Sequence, residues 1–128
     1  MRQLKPARIF LGGHSYGGRQ ASMLVSSEPR LVNGLLLLSY PLHPPKQPAA
    51  LRTSHFPSLN VPSLFVSGMR DGFGTVAEME SALALIPAPT ELLAIAGAGH
   101  ELMTKSNREE LITAVTSAFA TFMQTHAK

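Results

Sequence analysis

The sequence predicts an α/β protein, a parallel sheet with flanking helices. Short apolar runs alternate with helical patterns along most of the chain, which is typical of this class. Leu35 to Leu38 are four consecutive leucines, and such a run favours a strand that is buried on both faces of a parallel sheet. A glycine-rich stretch, Gly12 to Gly18, joins the first apolar run to the first helical pattern.

Length and composition fit one globular domain over residues 1–128. Hydrophobic residues make up 45% of the chain and charged residues 15%, so a disordered chain is excluded. Cysteine is absent, which excludes disulfides, zinc–thiolate sites and a cysteine nucleophile. The histidines and carboxylates lack metal-ligand spacing, and we expect no metal.

The charge pattern argues against nucleic acid as a partner. The net charge is +3, but the lysines and arginines are scattered and form no basic stripe. The longest apolar run is too short to cross a membrane, and residues 1–6 lack the apolar core of a signal peptide. We expect a cytoplasmic protein that does not act at a membrane.

The first half of the chain predicts two strands, one helix and a long excursion. Residues 7–13 form a strand, 17–28 a helix and 31–39 a second strand. Residues 40–60 are rich in proline and predict an irregular excursion, with one helical turn around Ala49 to Arg52. Long loops in compact domains tend to be functional, so we expect this one to cover the mouth of a site.

The second half predicts two more strands, each followed by a helix or a turn into one. Residues 61–68 and 91–96 read as strands. A capping box at Thr75–Glu78 opens a helix through Ile86, and a second box at Ser106–Glu109 opens the final helix. The apolar residues of that last helix recur on one side: Leu111, Val115, Phe119 and Phe122.

The turn after the first strand has the pattern Gly13-x-Ser15-x-Gly17. A strand that turns sharply into a helix at such a pattern is a nucleophile elbow, which lifts the serine hydroxyl clear of the sheet. Glycines suit the flanking positions because side chains there would collide with the neighbouring strand and helix. A phosphate site at the helix N-terminus is the alternative, although the Walker and dinucleotide-binding glycine patterns are both absent.

Three residues of a catalytic triad follow in the chain order Ser15, Asp71, His100. Each lies at the carboxyl end of a predicted strand, where ligands bind in open parallel sheets. We expect Ser15 to be the nucleophile, His100 the general base and Asp71 the residue that orients the imidazole. The backbone N–H of Tyr16 is the expected oxyanion-hole donor.

Other interpretations of these residues remain open. Asp71 precedes Gly72 and suits a simple loop turn, while Glu101 is an alternative acid that is poorly placed beside His100. Most phenylalanines of a small domain belong to its core. Four residues are expected to contact the substrate: His14, Tyr40, His43 and Phe73.

Four stretches carry a family resemblance: Gly12–Gly18, Tyr40–Pro45, Ser67–Gly74 and Gly97–His100. They resemble the α/β-hydrolase superfamily, and more closely its small dienelactone-hydrolase-like predicted hydrolases, over residues 7–125. The resemblance implies an α/β-hydrolase fold and cofactor-free hydrolysis of an ester or related acyl bond in a small molecule. It does not indicate which substrate.

The chain departs from that family at one point. The family elbow follows the fifth of about eight strands, whereas here it follows the first, so the resemblance covers the C-terminal portion of the fold. The loop that gives the second oxyanion donor precedes the elbow in the family, and losing one donor costs roughly a hundredfold in rate.

An open edge of the first strand also predicts self-association. A weak or inactive scaffold subunit, a fragment of a longer hydrolase and an acyltransferase therefore stay as alternatives.

Overall fold

The computed structural model describes residues 8–104 and 106–126 and confirms the parallel α/β fold. Its sheet consists of β1 (Phe10–His14), β2 (Gly34–Leu38), β3 (Ser63–Gly68) and β4 (Thr90–Ile95). Its helices are α1 (Tyr16–Ser27), α2 (Val76–Leu83) and α3 (Arg108–His126), with one 3-10 turn at Phe56–Ser58. The strands lie side by side in chain order and all pair in parallel.

The sheet separates two apolar cores. Leu35 and Leu37 of β2 face the first core, which includes residues of α1, α2 and the excursion. Leu36 and Leu38 face the second core, which packs against α3. The alternation explains the unbroken leucine run, because a strand covered on both faces needs apolar side chains at every position.

The excursion supplies the aromatic centre of the first core. Tyr40 and Phe56 pack edge to face at 5.3 Å, and both contact Phe65 of β3. The only helical turn among the described residues of the excursion is Phe56–Ser58, so the turn expected around residues 49–52 was wrong. Proline at the second position of this turn and the buried Phe56 ring favour the later segment.

Element boundaries shift by a few residues from the sequence prediction. The Thr75–Glu78 capping box is present with both of its hydrogen bonds, but α2 ends at Leu83. Helix α3 begins at Arg108, and its approach is fixed by reciprocal bonds between Thr104 and Asn107 rather than by the predicted box at 106–109. Residue 7 of the predicted first strand lies outside the described residues.

Strand β1 lies at the edge of the sheet and pairs only with β2 in the described part of the chain. Self-association through this edge stays a prediction. No helix within residues 8–104 and 106–126 has the length and apolarity to cross a bilayer.

Candidate active site

Ser15 is the single residue that joins β1 to α1, and its backbone has a positive φ, with φ 54° and ψ −121°. This conformation is unfavourable for a residue with a side chain and is typical of a nucleophile elbow. The Ser15 N–H donates to the Leu38 carbonyl at 2.7 Å, which fixes the turn against β2. The strand, the turn and the helix therefore hold the hydroxyl at the carboxyl end of the sheet.

Two glycines let α1 approach β1 closely. A Cβ on Gly13 would lie 2.6 Å from the Gly18 nitrogen, and a Cβ on Gly18 would lie 2.9 Å from the Gly13 oxygen. The steric reason expected for the elbow glycines thus holds for this pair. It does not hold for Gly17, where a Cβ would meet nothing within 4 Å among the described residues.

The structure brings Ser15, His100 and Asp71 together in one hydrogen-bonded chain. Ser15 Oγ lies 2.6 Å from His100 Nε2, and His100 Nδ1 lies 2.9 Å from Asp71 Oδ2. Asp71 is buried and accepts, so Nδ1 carries the proton and Nε2 is free to accept from the Ser15 hydroxyl. This is the tautomer that a general base needs.

The backbone around His100 is held by a residue that the sequence analysis missed. Ser39 follows β2 with φ 52° and is fully buried, and its hydroxyl donates to the His100 carbonyl at 2.7 Å. His14 Nε2 also lies 3.4 Å from that carbonyl. The position of Ser39 at the carboxyl end of a strand was the available signal, because all the triad residues share that edge.

Tyr16 and Phe73 flank the triad. Tyr16 is the first residue of α1, where backbone N–H groups lack an intrahelical acceptor, so its N–H suits the predicted oxyanion role. The Phe73 ring lies 4.1 Å from the His100 ring, tilted by 32°, and the Phe73 N–H donates to Asp71 Oδ1 at 2.8 Å. The expected substrate contact of Phe73 is thus limited by the imidazole that occupies one face of its ring.

His43 lies behind the triad rather than in an open pocket. Its side chain is buried, with Nδ1 2.8 Å from the Pro44 carbonyl and Nε2 3.0 Å from Glu78 Oε1. The hydrogen bond to Glu78 raises the pKa of His43 and lowers the pKa of Glu78. Both ring nitrogens are engaged, so this geometry favours a bracing role over the expected substrate contact.

Tyr40 belongs to the core and not to a substrate pocket. It is 1% exposed, and its hydroxyl donates to the Arg52 carbonyl at 2.7 Å. Burial raises the pKa of Tyr40 to about 12. His55 bonds Ser22 of α1 at 2.8 Å through Nε2, and burial lowers its pKa. The position of Tyr40 therefore does not support the expected contact with substrate, and these groups instead tie the excursion to α1.

Among the described residues, no three histidine or acidic side chains are grouped so that they could hold a metal ion. The site places a serine hydroxyl, an imidazole and a carboxylate in line beside a helix N-terminus. That arrangement can carry out nucleophilic acyl transfer.

Solved structures of several hydrolases share the fold. A predicted CIB-like hydrolase from Thermoplasma acidophilum aligns with a TM-score of 0.64 at 20% identity over 88% of this chain and 51% of that one. Dienelactone hydrolase from Anabaena variabilis aligns with a TM-score of 0.68 at 21% identity, over 94% of this chain and 50% of that one. Est1E from Butyrivibrio proteoclasticus aligns with a TM-score of 0.71 at 15% identity, over 92% of this chain and 62% of that one. The chain thus spans half to about three-fifths of the length of these three proteins.

The sequence itself also matches a protein family. The model of the alpha/beta hydrolase domain family aligns with residues 1–128, the whole of this chain. The four parallel strands and the turn at Ser15 agree with that match. The chain therefore belongs to the alpha/beta hydrolase domain family.

Proposed function

We propose that this chain is a serine hydrolase that cleaves an ester or related acyl bond of a small molecule. The observation that carries the proposal is the continuous hydrogen-bonded chain from Ser15 Oγ through His100 to Asp71, with distances of 2.6 and 2.9 Å. Family membership and the fold shared with the Thermoplasma acidophilum hydrolase and the Anabaena variabilis dienelactone hydrolase support it.

The chemistry follows from that geometry. Ser15 Oγ attacks the acyl carbon while its proton passes to His100 Nε2, and Asp71 stabilises the imidazolium. The Tyr16 N–H donates to the oxyanion of the tetrahedral intermediate. When the intermediate collapses, His100 returns the proton to the leaving alcohol and an acyl-serine remains. Water, activated by His100, then releases the acid and restores the Ser15 hydroxyl.

A weak or inactive hydrolase-like scaffold is the second candidate. It is favoured by the oxyanion site, for which the described residues identify one donor, the Tyr16 N–H, where the family uses two. It is also consistent with the short span of this chain relative to the matched hydrolases. Both candidates place the same triad in the same positions, so only reactivity separates them.

Labelling with a fluorophosphonate probe tests the proposal without knowledge of the substrate. Purified protein is treated with the probe and its intact mass is measured. Ser26 is a half-buried serine on α1, the helix that follows Ser15, so Ser26→Ala is the matched control for Ser15→Ala. A single adduct that is lost in Ser15→Ala and kept in Ser26→Ala supports the hydrolase, and a panel of p-nitrophenyl esters follows. An unlabelled wild-type protein would favour the scaffold.

A further inference from the structure

Phe73 contacts the triad in three ways at once. Its ring lies 4.1 Å from the His100 ring at an interplanar angle of 32°. Its N–H donates to Asp71 Oδ1 at 2.8 Å, and its carbonyl accepts the His43 N–H at 3.0 Å. Phe73 therefore contacts His100 with its ring, Asp71 with its backbone N–H and the His43 backbone with its carbonyl.

We propose that Phe73 is a positioning residue that sets the tilt of the His100 ring and favours its imidazolium form during attack. The inference rests on the proposed hydrolase function. It assigns to Phe73 a role in the chemistry that is separate from contact with the substrate.

The need for such a residue follows from the hydrogen bonds of the imidazole. The bonds to Ser15 and Asp71 leave from Nε2 and Nδ1, and together they define an axis across the ring. Rotation about that axis changes neither distance greatly, so two bonds alone leave the tilt of the ring free. An aromatic face packed against the imidazole removes this freedom, and the offset, tilted arrangement is a favourable one for two rings.

The same contact acts on charge. An aromatic face attracts a cation within about 6 Å of its centroid, so Phe73 stabilises the imidazolium more than the neutral ring. The other titratable groups that face His100 are Asp71, from the loop after β3, and His14, from β1 at 5.8 Å between ring centroids. Behind Asp71 lies the His43–Glu78 pair. Substitution of Phe73 leaves all of these side chains in place.

The test compares Phe73→Leu with Phe73→Tyr, since tyrosine keeps an aromatic face and leucine does not. The readout is the rate of fluorophosphonate labelling of Ser15 as a function of pH. For Phe73→Leu we expect labelling about tenfold slower at the plateau, because the ring of the base is less well aligned. Phe73→Tyr should restore the rate, because its ring presents the same face to the imidazole.

The outcomes separate this inference from the proposed function. A wild-type protein that is not labelled refutes both. A wild-type protein that is labelled, with Phe73→Leu equal to it in labelling rate, refutes the role of Phe73 alone. A slower rate in Phe73→Leu with no recovery in Phe73→Tyr also refutes it, because a general packing defect would give that result.

A second measurement examines the wild-type protein and needs no substitution of Phe73. In the wild-type protein, stacking on Phe73 should move the ring-proton NMR resonances of His100 upfield of the positions for free histidine. The resonances are assigned by their loss in His100→Gln. Unshifted resonances would show that the stack is absent in solution and would overturn the inference.

Discussion

Replacement of Gly13 by alanine should disrupt the elbow, whereas replacement of Gly17 should not. A Cβ on Gly13 would lie 2.6 Å from the Gly18 nitrogen and 2.7 Å from the Gly17 carbonyl atoms, all of them backbone. Ordinary contact begins near 3.4 Å, so β1 and α1 would have to separate by about 0.8 Å. Overpacking of this kind costs typically about 1–3 kcal/mol, and the upper end applies because no flexible side chain can yield.

The same displacement should reduce reactivity. Ser15 lies between the two elements that separate, and a misplacement of roughly 1 Å can cost about a hundredfold in rate. Urea unfolding measures the loss of stability, and the rate of fluorophosphonate labelling measures the loss of alignment. Gly17→Ala is the matched control, since its Cβ meets nothing within 4 Å, and its unfolding free energy should stay within about 1 kcal/mol of wild type. Equal labelling rates in Gly13→Ala and wild type would refute this reasoning.

Substitutions at three further positions probe the residues that contact His100 and the His43–Glu78 pair. Ser39→Ala removes the 2.7 Å hydrogen bond to the partly buried His100 carbonyl and should cost about 2 kcal/mol in urea unfolding. Ser39→Gly should recover about 1 kcal/mol of this, because glycine adopts the positive φ without strain, and equal losses in the two variants would contradict the strain at Ser39. Asp71→Asn should slow Ser15 labelling by up to about 10⁴-fold, because the imidazole loses its orienting acceptor, and a rate near wild type would contradict the triad. Glu78→Gln should destabilise the protein most at pH values between the lowered pKa of Glu78 and the raised pKa of His43. The stabilisation from His43 is lost as pH rises through its raised pKa, and that from Glu78 is lost as pH falls through its lowered pKa. A difference in unfolding free energy that does not vary with pH would contradict this account.

The sequence predicted the strands and the edge at which the candidate site lies. Apolar runs marked all four strands, most clearly β2, which is covered on both faces and carries leucine at every position after Gly34. Ser15, Asp71 and His100 could be placed at one edge because the carboxyl ends of parallel strands share it. Their expected catalytic roles remain to be tested by labelling.

Contacts that depend on packing could not be predicted from local pattern. The ion pair of His43 with Glu78 joins residues 35 apart, and a periodicity says nothing about which side chains meet at that distance. Tyr40 was expected to contact the substrate as one of several aromatic residues suited to an apolar pocket, but its side chain is buried in the first core. The positive φ of Ser39 had no signal of its own, since glycine usually occupies such positions.

The Ser15–His100 hydrogen bond joins positions 85 residues apart in a chain of 128. The entropy lost on closing a loop grows with its length, and contacts between distant residues slow folding. The hydrogen bond that the proposed reactivity of Ser15 requires therefore forms only after β1 to β4 have associated, since the strands that carry the pair lie at opposite edges of the sheet. During refolding, fluorophosphonate labelling of Ser15 should recover later than helical circular dichroism. The labelling rate would then report when the sheet is complete.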